Sequence, residues 1–397
     1  MTERSSAGRT VSVLSAVVFV DLLGLTVMLP VLPSRVVELG GGGLALGLVL
    51  AGFSAGQAVA APLLGRCADR FGRRRVLLLG LAGSTLSLAA MAGAGSVWLL
   101  LAARVLAGLC GGSIGVAHAL AADVSPPDQR SRAMGRLGMS LGAAFTIGPL
   151  LGAAGAGGGF ALVCAVGAGL AGLALLTAWR ALPRTDGAPR PAAAAPDLAG
   201  GPGRRIAALL GVALAGSAAL VGMEATVALL AGHRFGAGPG FVGILLSVAG
   251  VAMTLVQARP LVGAVRRWGE RPVAAGAAGL MAAGLLLLPA APMVGFVLAV
   301  AAVAAGYGLL STTTTSLLSL LAPAGRRGAV LGRGQAMSAT GRLVGPVLAG
   351  ALYDLRPTLP SVAGAALLAL AALALTTTGP VRGGATMAAG TEAEGDG

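Results

Sequence analysis

The sequence predicts an all-α integral membrane protein of about twelve transmembrane helices in two pseudo-symmetric six-helix bundles. Three observations lead there. Of the 397 residues, 56% are hydrophobic and only 11% are charged, with a mean hydropathy of +0.88, a balance that a water-soluble domain does not reach. The apolar residues gather into about twelve stretches, each near the ~20 residues a helix needs to cross ~30 Å of hydrocarbon. Unlike residues also recur at one spacing: Gly148-Pro149 and Gly345-Pro346 are 197 positions apart (148 to 345), as are Arg130 and Arg327, and Gly135 and Gly332.

The spans are expected near 11–31, 44–64, 76–95, 97–121, 133–154 and 159–179 in the first half. In the second they are expected near 206–231, 239–262, 273–290, 293–321, 329–352 and 359–379. The segment after Arg9 runs directly into a full-length apolar stretch holding Asp21, so it is expected to stay as helix 1 rather than to be cleaved as a signal peptide. The bundles are placed at 1–182 and 206–381. Between them an Ala-, Pro- and Arg-rich cytoplasmic linker covers 183–205, and a glycine-rich, finally acidic tail over 382–397 is expected to be disordered. The 66 glycines suit close helix contacts.

A net charge of +14 suggests nucleic acid in a soluble protein, but here the arginines fall in alternate loops. One set of loops carries Arg66, Arg70, Arg73 to Arg75, Arg130, Arg132, Arg136, Arg180, Arg184, Arg190, Arg204, Arg205, Arg266, Arg267, Arg271, Arg326, Arg327 and Arg333. The opposite set holds chiefly Arg35, Arg234 and Arg356. By the positive-inside rule the first set is cytoplasmic and so are both termini, which places the chain in the cell membrane with no nucleic-acid partner. Cys67, Cys110 and Cys164 lack metal-ligand spacing and read as inert, and no metal site is expected. The sequence contains no lysine, so a phosphate-binding Gly-x-x-x-x-Gly-Lys-Ser/Thr loop is excluded. With no His-Glu-x-x-His, Cys-x-x-Cys or nucleophile elbow either, an enzyme is not expected.

Between the second and third stretches lies Gly65-Arg66-Cys67-Ala68-Asp69-Arg70-Phe71-Gly72-Arg73-Arg74-Arg75. It resembles the helix 2–3 loop signature of the major facilitator superfamily, and a degraded copy runs from Pro260 to Arg271. Asp21-Leu22-Leu23-Gly24 with Leu29-Pro30-Val31-Leu32-Pro33 resembles the first-helix pattern of that family's drug:proton antiporters, the tetracycline- and multidrug-exporter-like branch. Arg104-Val105-Leu106-Ala107-Gly108 is similar to the family's Arg-x-x-x-Gly motif, and 123–135 to the loop after it. Gly135 followed by Gly148-Pro149-Leu150-Leu151-Gly152 resembles the antiporter motif, with Ala144 and Ala153 where glycines are expected. The resemblance covers essentially the whole chain. It implies a gating loop of Gly65, Asp69, Arg70, Gly72, Arg73 and Arg74, in which Asp69 pairs with arginines and caps helix ends to hold the outward-open arrangement.

Ionisable groups inside a bilayer are costly and read first as functional. Asp21 and Arg104 fall at matching depths in helices 1 and 4, so they are expected to pair. The pair is either a proton-coupling site or a static ion pair. Glu224 is a second proton or substrate candidate, or else an interfacial residue, and Arg342 is its expected counterion. Gln257 and Gln335 complete the candidate substrate cavity with Asp21, Arg104, Glu224 and Arg342, although polar residues also join helices. His118 reads as interfacial rather than as a proton carrier. Gly135, Gly148, Pro149 and Gly152 are expected to shape bends and packing. The functional expectation is a proton-gradient-driven exporter of a small organic compound, without cofactor, working as a monomer by alternating access. Its substrate is amphiphilic, or cationic if the acids bind it directly, and with aromatic residues at only 3% little stacking surface is available. A metabolite or sugar symporter or facilitator on the same fold, and more remotely a non-transporting sensor, are the alternatives.

Overall fold

The computed structural model describes residues 2–111, 113–125, 129–182, 203–257, 259–323 and 326–377. Most of the expected linker and all of the expected tail, with Arg184 and Arg190, lie outside them. Twelve spans account for the helices of the described residues, with spans 1 and 4 each broken once and span 8 described on either side of residue 258. Span 1 is α1 (Thr2–Val27) and α2 (Leu32–Glu38). Pro30 falls in the break and Pro33 opens α2 in its first turn, where a missing N–H costs nothing. α3 (Gly43–Phe71) and α4 (Arg73–Ala92) are spans 2 and 3. α5 (Val97–Cys110) and α6 (Ser113–Val124) make span 4, interrupted at Gly111. α7 (Arg130–Gly155) and α8 (Gly159–Ala181) follow as spans 5 and 6.

In the second half, α9 (Arg204–Phe235) is span 7. α10 (Pro239–Gln257) and α11 (Arg259–Trp268) make span 8. α12 (Glu270–Leu287), α13 (Met293–Leu321), α14 (Arg327–Leu355) and α15 (Leu359–Thr377) complete the set. Nine helical stretches among the described residues are long and apolar enough to cross a membrane, and the one at 132–181 contains both α7 and α8. α12 and α14 are left out of the nine by their charge: Glu270 and Arg271 open α12, and Arg342 and Asp354 lie within α14.

Two hydrophobic cores form, one from residues between Val11 and Leu182, the other from residues between Leu209 and Leu375. Leu79, Leu86, Val294 and Leu370 instead point outward, more than 60% exposed. In water such a surface invites aggregation, whereas against acyl chains it costs nothing. All three tryptophans are exposed near helix ends, Trp98 at the arginine-poor end and Trp179 and Trp268 at the arginine-rich end, as residues at the two membrane-water boundaries are.

The sequence repeat is visible as repeated geometry. Gly72 joins α3 to α4 at φ 90°, and Gly269, 197 positions on, joins α11 to α12 at φ 82°. A Cβ is disfavoured at that φ, so a one-residue reversal between helices requires glycine. Arg35 donates to the Ala94 carbonyl beyond the end of α4 at 2.9 Å, and Arg234 to the Leu288 carbonyl at the end of α12 at 2.8 Å, the same use of a cation at a helix C-terminus in each half.

The two halves meet along two seams toward the arginine-poor end. Pro346 of α14 lays its carbonyl against Gly47 of α3, and Pro149 of α7 does the same against Gly243 of α10. A Cβ on Gly43 would lie 2.6 Å from the Gly350 carbonyl oxygen, so backbones approach there as only glycine allows. Asp354 closes the first seam. Its carboxylate accepts from the N–H groups of Gly43 at 2.6 Å and Leu44 at 2.8 Å, capping α3 from the opposite half.

Candidate substrate cavity

Toward the arginine-rich end the halves part around a cavity of about 800 Å³. Its walls are α3 with Ser54 and Gln57, α6 with Ile114 and Ala119, and α14 with Gln335, Thr340 and Arg342. Gly65, Asp69 and Arg73 stand at its rim. A helix 29 residues long rises about 43 Å, so α3 spans the bilayer with turns to spare. Its first turns are locked in the seam while its last ones line the rim. The walls are mostly apolar with a few polar groups, as small-molecule sites are.

A smaller chamber of about 90 Å³ opens beside it within the second half, between α9, α13 and α14. Gln335 and Arg342 belong to both walls. The chamber is rich in hydroxyls from Ser217, Tyr307, Ser311, Thr314, Thr315 and Ser338. The Ser217 and Tyr307 hydroxyls lie 3.3 Å apart, whereas Thr314 Oγ1 is buried without a hydrogen-bond partner.

Of the expected substrate-cavity residues, Gln335 and Arg342 line the cavity, while Asp21, Arg104, Glu224 and Gln257 lie outside its walls. Asp21 is 3% exposed inside the first bundle. The Ser84 hydroxyl of α4 lies beside its carboxyl, and neither Ser84 Oγ nor Asp21 Oδ1 has a hydrogen-bond partner. The expected Asp21–Arg104 ion pair is not formed. The two depths agree along the membrane normal, but α1 packs chiefly on α7 and α8, and α5 on α3 and α4, so the side chains point to different neighbours. Arg104 instead places its guanidinium 4.9 Å over the Phe53 ring, a cation–π contact that partly replaces the missing carboxylate.

Glu224 is half-buried in α9 and no ion pair joins it to Arg342. Arg342 lies near the level of Ser217 in the chamber wall, some two helical turns from Glu224, which is beyond the reach of a salt bridge. Gln257 is exposed at the end of α10 beside Gly308 of α13. His118 bonds locally, its Nδ1 2.9 Å from the Ile114 carbonyl.

In the loop, Arg73 pairs with Asp123 at the end of α6 at 2.6 Å, and Arg74 donates to the Trp179 carbonyl of α8 at 2.5 Å. Arg70 lies over the Phe71 ring. Asp69 is exposed at the rim and makes no ion pair among the described residues. Asp69 is the carboxylate expected to hold the loop arginines; in this state Arg73 is held by Asp123 instead. The matching position after Gly269 is Glu270, which accepts from the Ser316 hydroxyl of α13, so each half ties this loop to its fourth helix with opposite charge.

The antiporter-motif residues serve packing, except for Gly135, which has open space around it. Gly148 and Gly152 admit Thr26 and Val27 of α1 at close range. The Thr26 hydroxyl shares its proton between the Leu22 carbonyl of its own helix at 2.8 Å and the Ala144 carbonyl of α7 at 3.0 Å, and Pro149 forms the seam with α10. Sequence reasoning missed Gln57 and the chamber hydroxyls. The unbroken run from Ser311 to Ser316 within an apolar span was the available signal.

Comparison with known proteins agrees with this architecture. Residues 14–265 match the family model of the Major Facilitator Superfamily. The tetracycline resistance protein, class E, of Escherichia coli is 41% identical over 147 residues, and the match spans 36% of this chain and 36% of that relative, well short of its whole length. Multidrug resistance protein 2 of Bacillus subtilis (strain 168) is 26% identical over 85% of this chain and 87% of its own. Among solved structures, the human organic anion transporter MFSD10 (TETRAN) superposes with a TM-score of 0.68 at 23% identity, over 93% of this chain and 99% of that one. The nucleoside transporter NupG superposes with a TM-score of 0.77 at 14% identity, over 92% and 98%. With its helices, repeat and matched residues in agreement, the chain belongs to the Major Facilitator Superfamily of membrane transporters.

Proposed function

We propose that this transporter is a proton-coupled exporter of a small organic compound. It works as a single chain, with its arginine-rich end and both termini in the cytoplasm. The observation that carries the proposal is the cavity between the halves, which reaches the arginine-rich rim while glycine seams and Asp354 close the other end. That is the geometry of one end state of alternating access. The tetracycline and multidrug resistance relatives support the export direction, as do Gly148, Pro149 and Gly152 at the α1–α7 and α7–α10 contacts.

A substrate enters at the rim beside Asp69 and Arg73 and settles against α3, α6 and α14. The halves then rock about the midplane, so that the seams open and the rim closes. Asp21 carries the proton. It is buried without a partner of opposite charge, and α1 also bears Thr26, which contacts α7 at the Ala144 carbonyl. Glu224, on the corresponding first helix of the second half, is the second carrier.

The test is gradient-driven flux of dyes and antibiotics in inverted vesicles, comparing wild type with Asp21→Asn and Glu224→Gln. Accumulation that needs the gradient and disappears in one variant supports the proposal. Flux that persists without a gradient and in both variants makes the protein a facilitator instead.

A further inference from the structure

The side chamber is built to receive negative charge. Arg342 lies 15 residues into α14, about 22 Å along the helix axis, and among the described residues no carboxylate pairs with it. A guanidinium at such depth without a counterion is costly. Around it the wall supplies Ser311, Thr314 and Thr315 of α13 with Gln335 and Ser338 of α14, and no acidic residue. Thr314 is 2% exposed, lines the chamber and has an unpartnered hydroxyl oxygen.

The acids on the packed elements are elsewhere. Asp354 is engaged at α3, Glu224 is about two turns further along α9, Glu270 of α12 accepts from Ser316 of α13 and does not line the chamber, and Asp69 stands at the rim of the main cavity. At about 90 Å³ the chamber exceeds the ~15 Å³ that a single water needs, and Gln335 and Arg342 line both it and the larger, mainly apolar cavity.

We infer that the chamber is an oxyanion subsite. The carboxylate of an amphiphilic organic anion binds Arg342 and the Thr314 hydroxyl, while its apolar body lies in the main cavity. A planar guanidinium matches a carboxylate with two parallel hydrogen bonds, and the Thr314 hydroxyl, whose proton no helix carbonyl takes, donates a third, whereas Ser311 and Thr315 donate to carbonyls of α13. This rests on the exporter proposal and names its substrate class. It departs from the expectation of a cationic substrate because neither Asp21 nor Glu224 lines the cavity.

The experiment uses two probes of similar xanthene body, 5-carboxyfluorescein as the anion and rhodamine 123 as the cation. Binding is read by fluorescence polarisation in nanodiscs, and flux in proteoliposomes with an imposed proton gradient. Wild type is expected to bind the anion at least about tenfold more tightly than the cation, a preference that Arg342→Gln abolishes and Arg342→Lys keeps in part. Thr314→Val should weaken anion binding several-fold and leave the cation unchanged. A wild type that prefers the cation, or anion binding unaltered in Arg342→Gln and Thr314→Val, overturns the subsite and leaves the exporter proposal standing. Arg342-dependent binding with no gradient-driven flux of either probe supports the subsite and counts against proton-coupled export.

Discussion

A carboxyl buried without a partner of opposite charge costs several kcal/mol when ionised, and Asp21 is placed in that way. Asp21→Asn is therefore expected to leave folding and substrate binding intact while gradient-driven flux falls at least about tenfold. A purely structural role would appear instead as a lowered unfolding temperature with coupling preserved. Arg104 depends on Phe53, so Phe53→Leu should remove about 0.5–2 kcal/mol of stabilisation, read as a lower thermal midpoint in detergent, with Phe53→Tyr close to wild type. These charged residues were legible in the sequence because so few interrupt apolar spans. Their partners were not. Matching depth cannot tell whether two helices are neighbours, and α1 and α5 each face other helices.

Most helix bounds were legible to within about four residues from apolar length, but span 1 runs from Thr2 to Glu38 rather than 11–31, α3 runs to Phe71 rather than 64 and α11 to Trp268 rather than 262, because polar ends extend helices beyond their apolar part. Expected as one stretch, span 1 instead breaks around Pro30 and resumes as α2, and the break at Gly111 falls inside a continuous apolar stretch. The loop signature pointed to a gate through its charges, while its most constrained atom is the backbone of Gly72. Gly72→Ala should cost about 1–3 kcal/mol for the φ it must hold, and Gly269→Ala a similar amount, both measurable as a thermal shift of the purified protein. The repeat offset also shows where the halves diverge. Arg342 stands where the first half has Phe145, so the packing glycines and prolines recur and this charge does not. The side chamber escaped sequence reasoning for a related reason: hydroxyls commonly bond their own helix, as Thr312 and Thr315 do, and only the packing of α9, α13 and α14 shows that Thr314 is left over.

Across the whole molecule, closure at one end comes from two helix pairs, α3–α14 and α7–α10, and α3 and α14 also line the opening at the other end. Gly47→Val would drive a side chain into the Pro346 carbonyl, and Asp354→Asn would weaken the cap on α3. Both are expected to shift the population toward the state open at the arginine-poor end. A cysteine at Leu44, in a background lacking Cys67, Cys110 and Cys164, should then react several-fold faster with a membrane-impermeant maleimide. Unchanged reactivity in both variants would mean that the seams do not set the closed state.

The chemistry of those seams has an electrical consequence. Glycine, proline and alanine backbones meet there, and the Thr146 and Thr254 hydroxyls donate to carbonyls of their own helices. Asp354 spends both oxygens on the start of α3. Among the described residues no relay of exchangeable protons crosses such a joint, so the closed end is expected to insulate: vesicles carrying the protein without substrate should hold an imposed pH difference as long as empty ones.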